Sequence, residues 1–457
     1  MQPHRAPIIA LATAKGRASV GIIRLSGDGV LRIAQALCQR KLSPRQATLL
    51  DFEDASGDLI DQGLAILFPG PHSYTGEDVL ELQCHGSSAA LNLLLDRCLE
   101  IGKDQGLRIA HPGEFTERAF LNNKIDLAQA EAIADLIDAS SSLAVKSAAK
   151  SLKGEFSQKI HQFLESLIEL RALTEATLDF PEEEIDFIEQ HDILGRLEKI
   201  LSNIDEVKKS AQQGVILRDG ITVVLVGQPN VGKSSLMNAL AGEEIAIVTP
   251  VAGTTRDRLR ETIQIDGIPL HIIDTAGLRD TSDEVEQIGI ERTWSSIQQA
   301  DLVLHLIDVA LGFNIGQIDQ ELLHKIEQAL PKNTPIKVVW NKVDQLLEQK
   351  NSSENNFYVS AKTGYGLDAL KKELLRVAGW QPEAEGGILA RKRHIEALLE
   401  AEQFIEDALA HLKNGASSIE LAAEEMRLAQ DALAKITGEF LPDDLLGKIF
   451  STFCIGK

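Results

Sequence analysis

The sequence predicts a multidomain protein that combines α+β and α/β folds, and three observations lead to this prediction. Residues 1–122 mix short β-rich runs with turn clusters, which is typical of an α+β domain. Residues 220–380 alternate strand and helix patterns, as a parallel α/β sheet requires. Residues 123–219 and 381–457 carry apolar residues at helical spacing, and neither stretch alone is expected to bury its apolar face. We therefore expect one discontinuous helical domain with the α/β domain inserted into it.

Individual elements follow from the same patterns. Three strands are predicted in the first domain, over residues 20–25, 64–68 and 79–83. Helical patterns cover residues 124–214, where glycine and proline almost vanish, and residues 394–412 and 419–437. Pro181 with three following glutamates predicts a helix start, because acidic side chains favour the positive end of the helix dipole.

Composition limits the possible functions. The chain has 457 residues and a net charge of −22, from 46 Lys and Arg against 68 Asp and Glu. It lacks the global positive field of most nucleic-acid binders, so any nucleic-acid contact is expected to be local or delivered by a partner. Neither a signal peptide nor a membrane span is expected, which predicts a cytoplasmic protein. Four scattered cysteines without CxxC pairs predict free thiols: Cys38, Cys84, Cys98 and Cys454.

A phosphate-binding loop is the most specific motif in the chain. A buried-type strand over residues 222–226 leads directly into Gly227-Gln-Pro-Asn-Val-Gly-Lys-Ser234, which fits GxxxxGK[ST] in the required strand–loop–helix setting. The glycines let backbone N–H groups curl around phosphates, Lys233 neutralises the β/γ oxygens, and the Ser234 hydroxyl is a ligand for Mg²⁺.

Further pieces of a GTP site follow in order. Asp274 and Gly277 lie in a DxxG motif after a strand, and Thr255 lies in the preceding loop, where a threonine closing over the metal is expected. Asn341 and Asp344 belong to an NKVD motif, in which the aspartate accepts hydrogen bonds from guanine's ring N–H and amino group. Ser360-Ala-Lys362 offers backbone N–H groups to the guanine carbonyl. Four ordered pieces predict a GTPase.

One departure from the Ras-like pattern leaves the catalytic group open. Leu278 stands after the DxxG motif, where Ras-like GTPases carry the glutamine that orients the attacking water. The adjoining loop offers four acids that composition cannot rank: Asp280, Asp283, Glu284 and Glu286. An arginine finger is the other option, with Arg256, Arg258 and Arg279 as candidates.

The final segment, Ser451-Thr-Phe-Cys-Ile-Gly-Lys457, allows three interpretations. It can be a frayed end, which is the default for a terminus. Prenylation at Cys454 is not expected, because Lys457 is not a usual terminal residue for that signal and no polybasic run precedes it. The segment can also carry a reactive group into an active site, and Phe450 and Phe453 can anchor it against the protein.

The whole chain resembles the MnmE (TrmE) family of tRNA modification GTPases. The resemblance is carried by the runs GIIRLSG, SYTGEDVLELQCHG, HPGEFTERAFLNNKIDLAQAEAIADLIDA, LDFPEEEIDF, GTTRD, DTAGLRD and FCIGK. Cys84 departs slightly from the family, since it stands where glycine is expected. The resemblance implies a fold of three parts: a folate-binding-like N-terminal domain that also dimerises, a discontinuous helical domain, and an inserted Ras-like P-loop GTPase domain.

The resemblance also implies an activity. Family members work with a flavoprotein, MnmG, in a heterotetramer that installs a carboxymethylaminomethyl group at C5 of the wobble uridine of certain tRNAs. The donor is a tetrahydrofolate one-carbon derivative, for which 5-formyltetrahydrofolate serves as a bound analogue. The tRNA would be held largely through the complex, and no membrane is involved. The folate contacts implied are Arg24, Glu81, Lys124 and Lys457, although the first three also fit plain surface charges on strands and at a helix start.

In the GTPase domain the family implies a K⁺ ion in place of an arginine finger, bound as the domains dimerise face to face. The K⁺ ligands would be Asn230, Thr249, Val251 and Thr254; those of Mg²⁺ would be Ser234 and Thr255; and the catalytic residues would be Lys233 and Glu286. Motifs and resemblance together predict the GTP-binding residues Asn230, Val231, Gly232, Lys233, Ser234, Ser235, Thr249, Pro250, Val251, Ala252, Gly253, Thr254, Thr255, Asp274, Thr275, Ala276, Gly277, Asn341, Lys342, Val343, Asp344, Ser360, Ala361 and Lys362.

Two questions stay open at the level of the sequence. Cys454 can be a nucleophile that adds to C6 of the uracil ring, with Lys124 and Lys457 favouring its thiolate, or a packed side chain beside the cofactor. The alternative function is a K⁺-dependent GTPase switch in ribosome assembly, as in Era- and Der-like proteins. Folate binding separates the two functions, because a ribosome-assembly factor has no reason to bind folate.

Overall fold

The computed structural model describes most of the chain in two compact units. The described residues are 6–14, 16–179, 191–242, 260–274, 294, 297–311, 317–332, 334–346, 350–381, 387–414, 418–439, 443–453 and 456. The first unit comprises residues 1–134, 156–165 and 430–457, and the second comprises residues 135–155 and 166–429. The domain boundaries expected from the sequence, at residues 122, 219 and 380, stay predictions.

Six strands form the sheet of the first unit: β1 (Ile8–Leu11), β2 (Ala18–Ser26), β3 (Thr48–Glu53), β4 (Leu59–Phe68), β5 (Val79–Gly86) and β6 (Arg108–Ile109). Their spatial order is β3-β4-β5-β2-β1-β6. Neighbouring strands run antiparallel, except that β1 and β6 run parallel. The three strands predicted in this region lie within β2, β4 and β5, so those predictions are confirmed.

The α-helices within the described residues are α1 (Val30–Cys38), α2 (Ser88–Ile101), α3 (Glu114–Leu121), α4 (Leu127–Asp138), α5 (Ser142–Leu152), α6 (Glu155–Asp179), α7 (Ile193–Asp219), α8 (Lys233–Ala241), α9 (Gln317–Ala329), α10 (Leu367–Ala378), α11 (Lys392–Lys413), α12 (Ile419–Thr437) and α13 (Asp443–Ser451). The helices predicted over residues 394–412 and 419–437 correspond to α11 and α12. The helix start predicted at Pro181 lies outside the described residues.

One face of the first sheet is covered by α1 and α2. Side chains that alternate along β2 and β5, such as Ile23 and Leu82, pack there against the two helices in a closed apolar core. Cys38, Cys84 and Cys98 belong to this core and are free thiols, as predicted. Burial raises their pKa to about 11 for Cys38 and Cys84 and to about 12 for Cys98, so these thiols are unreactive at neutral pH.

The second unit contains a six-stranded sheet with one antiparallel edge strand. Its strands are β7 (Ile221–Val226), β8 (Arg260–Ile265), β9 (Ile268–Asp274), β10 (Leu302–Asp308), β11 (Ile336–Asn341) and β12 (Asn356–Tyr358), in the order β12-β11-β10-β7-β9-β8. Only β8 runs antiparallel to its neighbour among these described strands. Val223 and Leu225 face one apolar cluster and Val224 and Val226 face another, so both faces of the sheet are covered. This is the Ras-like arrangement that the sequence predicts.

Helices of the second unit hold the two ends of this sheet domain. The chain enters β7 directly from α7, and it returns through residues 387–391 alongside the same helix. A Cβ atom on Gly214 of α7 would lie 1.8 Å from the Ile388 carbonyl oxygen, so only glycine allows this close approach. Asp135 accepts hydrogen bonds from Arg218 at 2.8 Å and from Arg391 at 2.9 Å, which joins the entry and the return.

None of the helices in the described part of the chain combines the length and the apolar character needed to cross a membrane.

Candidate functional site: a nucleotide site and a second charged site

The phosphate-binding loop follows β7 and ends in the first turn of α8. Asn230 and Gly232 both adopt positive φ, at 66° and 95°, which turns successive backbone N–H groups toward the loop's hollow. Lys233 is buried, and its ammonium group donates to the Gly227 carbonyl at 3.3 Å. Ser234 and Ser235 are exposed at the start of α8, where the helix dipole and the free N–H groups favour an anion.

Asn341 joins three of the predicted motifs at the end of β11. Its amide nitrogen donates to the Val231 carbonyl of the phosphate-binding loop at 2.9 Å. Its amide oxygen accepts from the backbone N–H of Ala361 at 3.2 Å. A Cβ atom on Gly232 would lie 2.5 Å from the same Asn341 nitrogen, so the glycine at this position makes room for the bridge. The phosphate end and the base end of the site are therefore fixed to one another.

The carboxylate of Asp344 is held at the base end. The Ser360 hydroxyl donates to it at 2.6 Å. This hydrogen bond, with the nearby charges of Lys362 and Lys342, lowers the pKa of Asp344 below its usual value, so the group is ionised at neutral pH. Lys342 in turn donates to the Asn230 carbonyl at 3.0 Å and pairs with Asp308 at 2.6 Å. An ionised, oriented carboxylate is the acceptor that guanine's two N–H donors require.

The structure places only part of the predicted nucleotide site. Asp274 ends β9 beside Leu225 of β7, so the backbone of the DxxG motif begins next to the phosphate-binding loop. The predicted residues that lie outside the described part of the chain are Thr249, Pro250, Val251, Ala252, Gly253, Thr254, Thr255, Thr275, Ala276, Gly277 and Glu286. The same holds for Leu278, for the other acids of its loop and for the arginines Arg256, Arg258 and Arg279.

The described residues could bind a magnesium ion as other phosphate-binding loops do, with one protein hydroxyl and the phosphates of the nucleotide. No group of three or more His, Cys, Asp or Glu side chains within the described residues could hold a metal by itself. Ser234 supplies one exposed hydroxyl at the phosphate end, and Mg²⁺ in such sites takes most of its remaining ligands from water and the nucleotide phosphates. Ser234 therefore fits the predicted role of Mg²⁺ ligand.

A second charged site lies on the first sheet, on the face opposite α1 and α2. Arg24 of β2 stands directly across from Glu81 of β5. The guanidinium donates through Nε at 2.9 Å and Nη2 at 2.8 Å, and both bonds fall on Oε1 of the carboxylate. About a fifth of each side chain is exposed, so the pair is neither core nor fully solvated. Two of the four residues implied for folate are thus in direct contact.

The loop between β4 and β5 reaches the third implied folate residue. The ammonium group of Lys124 donates to the Pro71 carbonyl of this loop at 3.0 Å. Asn122, two residues before Lys124, donates to the Thr75 carbonyl at 2.7 Å. The same loop carries Tyr74, whose ring lies 5.4 Å from the Arg24 guanidinium carbon. One loop therefore contacts both Arg24 and Lys124, while the fourth implied residue, Lys457, lies outside the described residues.

The final segment returns to this site. Phe450 and Phe453 pack with Leu127 and Ala130 in an apolar cluster. The Gly456 carbonyl accepts from Nη1 of Arg24 at 3.4 Å. Gly456 has φ of 97°, and a Cβ atom there would lie 2.3 Å from the Leu11 carbonyl oxygen, so glycine is required at this contact. Gly456 therefore contacts Arg24 and Leu11, so the frayed-end interpretation does not hold for this residue. Cys454 lies outside the described residues.

Sequence reasoning missed two residues of this second site. Tyr74 belongs to the SYTGEDVLELQCHG run, but within that run only Glu81 was singled out from the sequence. Gly456 belongs to the final FCIGK run, in which the sequence singles out only the cysteine and the lysine as candidate functional residues. Both residues therefore lie within recognisable motifs. The sequence alone does not show that distant segments meet, such as Gly456 and Leu11.

The fold and the contacts of the nucleotide site define the class of the protein: it is a P-loop GTPase. Family models match almost the whole chain, "GTP-binding protein TrmE N-terminus" over residues 7–124 and "MnmE helical domain" over residues 127–454. The chain is 55% identical to the tRNA modification GTPase MnmE of Cupriavidus metallidurans, with 100% of both chains covered. It is also 55% identical to the protein of that name from an Acidovorax species, with 99% of each chain covered.

The chain therefore belongs to the MnmE family of tRNA modification GTPases, and the predicted enzyme class, a GTP hydrolase acting in tRNA modification, is confirmed. Among solved structures, a point variant of Aquifex aeolicus Era bound to GDP and aluminium fluoride is 29% identical, covers 40% of this chain and 66% of its own, and gives a TM-score of 0.27.

Proposed function

We propose that this chain is a K⁺-activated GTPase that acts with the flavoprotein MnmG on the wobble uridine of certain tRNAs. The pair would add a carboxymethylaminomethyl group to C5 of the base, using a tetrahydrofolate one-carbon donor bound by the N-terminal domain. Membership of the MnmE family supports the reaction in outline. The proposal includes a folate site separate from the GTP site. The observation that supports it is the second charged site, where Arg24 contacts both Glu81 and Gly456.

The chemistry of a pterin ring supports the assignment of Glu81. A pterin and a guanine share one hydrogen-bonding edge, a ring N–H beside an exocyclic amino group, and a carboxylate is the acceptor suited to both donors. Both contacts from Arg24 fall on Oε1 of Glu81, and the ion pair keeps the carboxylate oriented on the face of the sheet. Lys124 would supply positive charge for the acidic tail of a folate, whereas Arg24 would hold Glu81 in place for the pterin edge.

Self-association through the first sheet is part of the proposal. Val20 and Leu49 are more than half exposed. Leu49 lies on the face opposite α1 and α2, which also carries Arg24 and Glu81, and Val20 lies in the irregular part of β2, four residues before Arg24. Exposed apolar side chains of this size beside a binding site are suited to cover by a second copy of the chain. A homodimer of this kind would place two folate sites close to one interface. A cytoplasmic location belongs to the proposal as well.

In the GTPase domain, a K⁺ ion would supply the charge that an arginine finger supplies elsewhere. Of the four K⁺ ligands implied by the family, Asn230 lies among the described residues, exposed and at positive φ within the phosphate-binding loop. A monovalent cation beside the bridging β/γ oxygen would stabilise the charge that develops there during phosphoryl transfer. Glu286 would act on the attacking water. Ras-like GTPases use a glutamine for this, but Leu278 stands at that position here and cannot orient water.

Steady-state kinetics test the K⁺ assignment. We expect GTP hydrolysis to be about 10- to 100-fold faster in KCl than in NaCl at equal ionic strength, because only the larger cation fits the site. Glu286→Ala should lower kcat with little change in nucleotide affinity, as for a group that acts only in the transition state. Glu284→Ala is the matched control and should keep wild-type turnover. Equal rates in the two salts would remove K⁺ from the proposal.

A further inference from the structure

Tyr74 occupies a position that packing alone does not explain. Its ring packs against the small apolar cluster of Ile8, Ala10, Ala110 and Phe115 and is mostly buried. The phenol oxygen lies 2.8 Å from the Thr116 hydroxyl of α3, which fixes the ring by a hydrogen bond. The guanidinium carbon of Arg24 lies over this ring, 5.4 Å from its centroid. Tyr74 therefore connects α3 to the charged pair.

The guanidinium of Arg24 is held from several directions. Two of its nitrogens bond Glu81, and the third points to the Gly456 carbonyl. Its central carbon lies over two aromatic rings, 5.4 Å from the ring centroid of Tyr74 and 5.9 Å from that of Phe115. Aromatic faces attract a cation and restrict its rotation, which lowers the conformational entropy that a long arginine side chain loses when a ligand binds. Ion pair and rings together keep the group in one orientation.

We propose that Tyr74 is a positioning residue of the one-carbon donor site: its ring orients the Arg24 guanidinium for a reduced folate, and its hydroxyl fixes the ring through Thr116. This inference rests on the proposed folate function of Arg24. Tyr74 lies in the loop between β4 and β5, and the Pro71 carbonyl of the same loop accepts a hydrogen bond from Lys124. The loop between β4 and β5 thus sets the position of both cations of the proposed folate site.

Equilibrium titration of the full-length protein with 5-formyltetrahydrofolate tests the inference. Tyr74→Phe keeps the ring and should bind within about twofold of wild type. Tyr74→Met keeps much of the volume without an aromatic face, and Tyr74→Leu removes both the face and some volume; each should weaken binding about tenfold. GTP hydrolysis should be unchanged in all three, since Tyr74 belongs to the other unit. Tyr358→Leu removes a tyrosine that also faces a cation, Lys350 at 5.7 Å, and should leave folate affinity unchanged.

A double-mutant cycle with Arg24→Ala separates positioning from a general loss of structure. If Tyr74 acts through Arg24, Tyr74→Met should have no further effect on folate affinity in the Arg24→Ala background. An equal loss in both backgrounds, or full affinity in Tyr74→Met, would overturn the inference. If Tyr74→Leu does not fold, Tyr74→Met and Tyr74→Phe still complete the comparison. A wild-type protein that binds no folate would instead overturn the proposed function itself, and this inference with it.

Discussion

Asn341 shows how a single buried amide organises the nucleotide site. It is 1% exposed, and its two hydrogen bonds connect the phosphate-binding loop to the Ser360–Lys362 segment. Both partners are backbone groups of the protein, so Asn341 fixes the distance between the phosphate end and the base end of the site. Asp344 differs from Asn341 because it is exposed and ionised, and the Ser360 hydroxyl donates to one of its carboxylate oxygens.

Replacing Asp344 tests base recognition directly. Asp344→Asn should weaken GTP binding roughly 100-fold, because an amide accepts only one of guanine's two N–H donors and turns a donor toward the other. Preference should move toward xanthosine triphosphate, whose carbonyl stands where guanine has its amino group. Competition titrations with both nucleotides measure the change, and Asp368→Asn at the start of α10 serves as control. Unchanged GTP affinity in Asp344→Asn would remove this residue from the base pocket.

Two glycines near the end of the chain allow a matched test of the docked segment. Gly456→Ala would place a Cβ atom 2.3 Å from the Leu11 carbonyl oxygen at a φ of 97°, so the segment should leave its position. We expect lower affinity for 5-formyltetrahydrofolate and normal GTP hydrolysis. Gly447→Ala in α13 meets nothing within 4 Å and should behave as wild type in both assays. Wild-type folate affinity in Gly456→Ala would separate the segment from the folate site.

At the scale of elements, α3 is fixed to the first sheet by a group of charges around the buried Glu114. The Glu114 carboxylate accepts hydrogen bonds from Nη1 and Nη2 of Arg108, at 2.8 and 2.6 Å, and from Nη2 of Arg118 at 2.8 Å. Burial opposes the charge of Glu114, but the bonds from Arg108, the His111 N–H and Arg118 outweigh it and lower its pKa to about 2. Because α3 carries Phe115 and Thr116, this group also supports the surroundings of Arg24.

The depressed pKa of Glu114 predicts a pH dependence of stability. A carboxyl group whose pKa falls from 4.5 in the unfolded chain to about 2 in the folded one stabilises fully above pH 4.5. That contribution is lost as the pH falls toward 2. Glu114→Gln should therefore cost about 3 kcal/mol at pH 7, and the difference from wild type should shrink below pH 4.5. Native-state hydrogen exchange of α3 amides measures this free energy.

The control for this experiment is an exposed pair of the same chemistry. Glu424 pairs with Arg427 at 2.7 Å on the surface of α12, and both side chains are about half exposed. Glu424→Gln should leave stability unchanged at every pH, because exposed pairs contribute little. A Glu114→Gln variant whose destabilisation stays constant from pH 7 to pH 3 would contradict the account of the buried group.

The sequence predicts elements and local motifs better than the contacts between distant segments. The phosphate-binding loop was predictable because eight consecutive residues carry its geometry, and its strand and helix have clear periodicity. The bond from Asn341 to Val231 spans 110 residues, and the contact of Arg24 with Gly456 spans 432. No spacing rule reports such pairings, so the contacts of Tyr74 and Gly456 are visible only in the folded chain.

At the scale of the whole molecule, the chain carries two sites of different chemistry in its two compact units. The GTP site lies on the parallel sheet of the second unit, and the Arg24 site lies on the sheet of the first. The final segment belongs to the first unit together with Arg24, although the rest of the chain separates them in sequence. We therefore expect tRNA modification to depend on both sites, and GTP hydrolysis to depend only on the GTP site.

Quantifying wobble-uridine nucleosides by mass spectrometry tests this dependence most directly, in cells whose own gene is replaced by a variant of this one. We predict that Arg24→Ala abolishes the carboxymethylaminomethyl modification, whereas the purified variant hydrolyses GTP at the wild-type rate. Asp344→Asn should reduce both the modification and GTP hydrolysis. Normal levels of the modified nucleoside in Arg24→Ala cells would contradict the central claim that this protein needs a second site, distinct from its GTP site, to modify tRNA.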